Sequence, residues 1–93
     1  MHKAILALTK TMQYKLDNNK HKDCPVMNPE GDGRGWSHCS VDWLFGRLCD
    51  ETIELEEALK NYRGHSPTNI LEECADIANF AMMIHDNITK ETE

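Results

Sequence analysis

Aromatic residues are scarce in this 93-residue chain, at 6%, and basic ones are outnumbered: ten Lys and Arg face sixteen Asp and Glu, for a net charge of −6. That sign is wrong for a general nucleic-acid surface. Long apolar runs are missing as well, and none approaches the roughly 20 residues that a membrane-spanning helix requires. The stretch Met1–Lys10 is interrupted by Lys3 and Lys10 and is unlike a secretory signal, so a cytoplasmic location is expected. A second core of ordinary size has no room at this length, and one domain over residues 1–93 is expected. Four cysteines (Cys24, Cys39, Cys49, Cys74) allow three pairings on paper. Cys49 and Cys74 fall among apolar residues at helical spacing, which favours reduced thiols. The His21, Cys24, His38 and Cys39 spacing matches no common zinc module.

What is present is a helical period. Ile5, Leu8, Met12 and Leu16 recur every three or four residues and predict a first helix from about Lys3 to Asn19. Residues 20–39 follow with Pro25, Pro29 and the run Gly31-Asp32-Gly33-Arg34-Gly35, a loop longer than ordinary connections. Loops of that length are either functional flaps or disordered. Ser40 is suited to cap a second helix running to about Tyr62, and Gly64 to stop it. Ser66 and Pro67 then open a third helix, expected to end near Ile88 before a frayed tail over 89–93. The fold class is all-α: an antiparallel bundle of about three main helices, completed by oligomerisation. The last element follows from the third helix, which is apolar nearly all round from Ile70 to Ile84 and must be covered on several sides. A homodimer or a tetramer of dimers is expected.

Charge is concentrated in one segment. Residues 50–76 hold eight acids and two bases, a local balance equal to that of the whole chain. Two of those acids interrupt apolar stripes. On the second helix the stripe is Leu44, Leu48, Leu55, Ala58 and Tyr62, and the slot between Leu48 and Leu55 is Glu51, with Glu54 one turn on. On the third helix Ile70, Cys74, Ile77, Ala81, Ile84 and Ile88 form the stripe; Glu73 lies between Ile70 and Ile77, and Asp76 follows one turn later. Folding the hairpin at Arg63–Gly64 sets Glu51 level with Asp76 and Glu54 level with Glu73. Four carboxylates therefore converge roughly three turns from the break.

Like charges ~4 Å apart repel by ~4 kcal/mol at an effective dielectric of 20, so such a group takes up protons or gathers a cation. Hard oxygens without a soft ligand favour Mg²⁺ or Mn²⁺, with Ca²⁺ also compatible. The competing reading is a solvated acidic face, which suits Glu56 and Glu57 well.

The segment Asp50-Glu51-Thr52-Ile53-Glu54, eighteen residues, then Glu73-Cys74-Ala75-Asp76 resembles the EExxE…ExxD signature of the MazG-like and dimeric dUTPase-like all-α nucleoside triphosphate pyrophosphohydrolases. The flanking runs Trp43–Leu48 and Ala75–Ile84 agree, and the likeness spans about Trp36 to Asn87, with the first helix also similar. Two features depart from the pattern: Asp50 stands where the signature has Glu, and the loop over 23–35 is longer than the family needs. The resemblance implies hydrolysis of a (d)NTP to the (d)NMP and pyrophosphate with Mg²⁺, with Glu51, Glu54, Glu73 and Asp76 as catalytic metal ligands. It also implies a homo-oligomer in which two subunits shape each pocket.

Substrate contacts have two readings each. Asn79, one turn past Asp76, can bond a sugar or base or join two helices. Lys15, Asn19 and Lys22 follow one side of the first helix and can meet phosphates or solvent. Trp36 can stack on a base or plug the edge of a core. Arg47 can contact phosphate or pair with Glu51 or Asp50. The rival from another class is a non-catalytic helical interaction or regulatory protein whose acidic hairpin binds metal, nucleotide or a partner without turnover.

Overall fold

A computed structural model of the chain describes residues 1–19, 35–61 and 67–92. It contains three α-helices, α1 (Lys3–Asn19), α2 (Val41–Lys60) and α3 (Pro67–Thr92), and a 3-10 turn over Gly35–His38, with no strand among the described residues. The all-α expectation holds, and α1 has the expected bounds. Gly64, Ser66, Tyr62 and most of the loop expected over 20–39 lie outside the described residues.

Local chemistry fixes the boundaries that are described. The Ser40 hydroxyl accepts from the Trp43 N–H at 3.0 Å, satisfying a donor that the first turn of α2 leaves open. At the other end the Asn61 N–H and side-chain amide both donate to the Glu57 carbonyl. α3 runs four residues past its expected end at Ile88. No Gly or Pro interrupts that stretch, and the Thr89 and Thr92 hydroxyls donate to the His85 and Thr89 carbonyls.

α3 is the central helix, and α1 and α2 each pack along it. The core lies toward its C-terminal half, where fully buried Leu44 meets Cys39 and Phe80, ringed by Trp36, Trp43, Leu48, Met83 and Ile84. The 3-10 turn is tied to this end by side chains. Asn87, itself buried, donates to the Trp36 and Cys39 carbonyls at 3.0 and 3.3 Å, and Trp36 Nε1 donates to Asp86 Oδ2 at 2.9 Å.

One detail of the packing differs from the apolar pattern. The stripe Ile70, Cys74, Ile77, Ala81, Ile84, Ile88 is half-buried or exposed, whereas the residues of α3 that are buried are Ala75, Asn79, Phe80 and Asn87. A helix flanked by two others buries most deeply the line facing both. On α3 that line includes two asparagines, each bonded to a carbonyl of another element. Phe45, Ile53, Leu59 and Leu71 meanwhile stand more than half exposed.

Candidate metal centre

α2 and α3 bring together three of the four expected acids. Glu51, Glu54 and Glu73 each place a carboxylate oxygen within 4.8 Å of the others. Glu51 is 5% exposed, occupying the slot its stripe assigns to the seam; Glu73 is half-buried and Glu54 faces solvent. Arg47, one turn earlier, holds Glu51 Oε1 with Nη2 at 3.1 Å and Asp50 Oδ2 with Nη1 at 3.0 Å. Its guanidinium lies over the Phe80 ring, 5.4 Å from the centroid. The cation is thereby fixed on a fork and a ring face.

The other oxygen of Glu51 has no such support. Oε2 of Glu51 and Oε2 of Glu73 are buried and accept no hydrogen bond among the described residues. Buried polar atoms are rarely left in this state, because an unmet acceptor costs about 1–3 kcal/mol. Two charges within 4.8 Å of each other add at least about 3 kcal/mol of repulsion at an effective dielectric of 20. The site responds by holding protons. Glu51 is pushed up to about 8, first by burial, then by a hydrogen bond from its protonated carboxyl to Glu54 and by the charges of Glu54, Asp76 and Glu73. That rise persists with a guanidinium against Oε1. Glu73 is raised as well, by burial first, then by the charges of Glu54 and Asp76 and a hydrogen bond with Glu54, while a hydrogen bond with Glu51 acts in the opposite sense.

A divalent cation would meet the same need without protons. Oxygens on opposite sides of one ion are separated by twice the metal–oxygen distance, about 4.2 Å for Mg²⁺ and roughly 4.6–5.2 Å for Ca²⁺. Carboxylate oxygens that all lie within 4.8 Å of one another are close enough to share one such ion, and their all-oxygen donor set suits a hard ion.

Asp76 is placed differently from its three companions. Its charge acts on both Glu51 and Glu73, yet its carboxylate is outside the close group and Oδ2 lies 3.6 Å from Lys15 Nζ on α1. The pairing of α1 with this acid was not legible in the sequence, because the chain joining α1 to α2 carries no periodic signal that orients one against the other. Of the substrate candidates, Lys15 and Arg47 stand at the acids, each in an ion pair. Asn79 is buried between α1 and α3, donating to the Met12 carbonyl at 3.1 Å, with no hydrogen bond to Oδ1 among the described residues. Trp36 packs at the far end of α3, where its partner Asp86 lies about 15 Å along the helix from Asp76. The Asn19 side chain and Lys22 lie outside the described residues.

A feature with no separate signal in the sequence adjoins these acids. Between α1 and the start of α3 is a cleft of about 350 Å³ lined by Lys10, Thr11, Tyr14, Thr68, Leu71 and Glu72. Thr11 and Glu72 each stand one turn before the Lys15–Asp76 pair. Comparison with models of protein families, with curated proteins and with solved structures found no match to this chain.

Proposed function

We propose that the protein is a metal-dependent nucleoside triphosphate pyrophosphohydrolase, converting a (d)NTP to the (d)NMP and pyrophosphate. The observation that carries this reading is the pair of buried carboxylate oxygens, on Glu51 and Glu73, that lack a hydrogen-bond partner among the described residues within a close group of three acids. Glu51, Glu54 and Glu73, joined by Asp76, would hold Mg²⁺ or Mn²⁺. Such an ion, when bound, offsets the charge of the polyphosphate and lowers the pKa of a coordinated water.

The chain's own groups have distinct tasks in this scheme. Glu54, the solvent-facing member of the three, accepts a proton from the attacking water. The water oxygen bonds to the α-phosphorus, the bond to the α–β bridging oxygen breaks, and pyrophosphate leaves with that electron pair. Arg47 keeps Glu51 in place from behind. The cleft beside Lys15 offers the sugar and base an apolar wall at Leu71, a ring at Tyr14 and hydroxyls at Thr11 and Thr68. The exposed Phe45, Ile53 and Leu59 support assembly into a homodimer or tetramer.

One observation favours the non-catalytic alternative, a metal-binding regulatory protein. Among the described residues the two cations at the acids, Lys15 and Arg47, are engaged with carboxylates and so are already committed when a triphosphate arrives. Incubation with a panel of (d)NTPs and Mg²⁺ or Mn²⁺, with pyrophosphate as the readout, decides between the two. Metal-dependent release that Glu54→Gln reduces at least a hundredfold is expected. No release from any nucleotide would sink the enzyme reading.

A further inference from the structure

Resting on the metal site proposed above, we infer that Lys15 is an internal competitor of the divalent ion for Asp76, so that α1 sets the metal affinity of a site built by α2 and α3. The Lys15 ammonium lies 3.6 Å from Asp76 Oδ2, and the two side chains are only 18% and 22% exposed. An ion pair so shielded is screened less than one at the surface. Asp76 follows Glu73 by one turn on the same side of α3, near enough for its charge to act on both Glu51 and Glu73, yet it is not among the three mutually close carboxylates. To add Oδ2 to their oxygens it has to exchange the ammonium for the ion.

The exchange has two consequences. Coordination by Asp76 breaks an ion pair that links α1 to α3, so metal uptake loosens the seat of α1. It also releases the Lys15 ammonium one turn from Thr11 of the cleft, where it can meet the phosphates of a substrate whose sugar and base occupy that cleft. Lys15 thus weakens metal binding in the resting protein and becomes a cation available to phosphate once the ion is in place. This removes the conflict between an ion-paired Lys15 and a role in substrate binding.

The test is a Mn²⁺ titration followed by electron paramagnetic resonance, with helicity checked by circular dichroism. Lys15→Met is expected to tighten Mn²⁺ binding by about threefold or more, and Lys15→Arg to leave it near the wild-type value. In an Asp76→Asn background the gain from Lys15→Met is expected to vanish, because the ammonium then has no ligand to withhold. Equal affinity in wild type and Lys15→Met would overturn the inference. So would a gain that persists undiminished in the Asp76→Asn background, which would mean that the charge acts through space. Wild type itself provides a check free of any folding risk: the Lys15 Nζ resonance should shift as Mg²⁺ is added, and Mg²⁺ uptake with a stationary resonance overturns the competition. If neither wild type nor any variant takes up Mn²⁺, it is the metal site that fails, a result distinct from equal binding by all.

Discussion

Glu51 concentrates the physical tension of this protein in one side chain. It is buried, gripped on one oxygen by Arg47 and without a hydrogen-bond partner among the described residues on the other, and its carboxyl is pushed up to about 8. An ordinary unfolded carboxyl titrates near 4.5. Between those values the native state binds a proton that the unfolded state does not, so the contribution of Glu51 to stability falls as pH rises from about 5 through 8. Metal-free protein in a chelator should therefore melt at a lower temperature at pH 8.5 than at pH 6, and Mg²⁺ should remove the difference by replacing the proton. A melting temperature that is flat or rising over this range in chelator would contradict the assignment. The position was legible in the sequence because a charge stood where the 3.6-residue period demands an apolar group, and the same reasoning found Glu73. Asp76 shows where such reasoning stops. Its spacing puts it on the right side of α3, but its engagement with Lys15 depends on how α1 lies across that helix.

At the scale of elements, α3 organises the structure, and asparagines rather than isoleucines mark its most buried line. Asn79 bonds to α1 and Asn87 to the 3-10 turn, each through its side-chain amide. Pattern alone left Asn79 open between a substrate contact and a bond joining two helices, of which the contact to α1 is the second, and it gave no signal for Asn87. The helix starts were easier, because Ser40 and Pro67 state their roles locally. Asn87→Ala would strip the Trp36 and Cys39 carbonyls of a buried donor and is expected to cost about 1–3 kcal/mol in urea unfolding. The loss should fall on the Leu44–Phe80 cluster and leave Mn²⁺ binding nearly unchanged, because the acids occupy the other half of α3. A variant as stable as wild type would show that water replaces the amide without cost. Trp36 belongs to this same end: its indole is fastened to Asp86 and its ring packs on the cluster.

For the whole molecule, a lone chain buries few large apolar side chains, with Leu44 and Phe80 the principal ones among the described residues. Phe45 and Ile53, two turns apart on one side of α2, and Leu71 and Ile88 on α3 are left open to solvent. Faces of this kind are stable when a second copy covers them, and light scattering of the eluting protein should give two or four times the 10.7 kDa chain mass. A mass of one chain at micromolar concentration would leave the exposed side chains unexplained. Activity, metal affinity and the pH response all depend on whether three carboxylates from two helices form a binding site for a divalent ion. Anomalous diffraction from a crystal soaked in Mn²⁺ at pH 8 settles that question at the site itself. A single strong peak enclosed by Glu51, Glu54 and Glu73 is expected, with Asp76 turned from Lys15 toward it. A difference map with no peak there, and the three side chains unmoved, would contradict the metal centre.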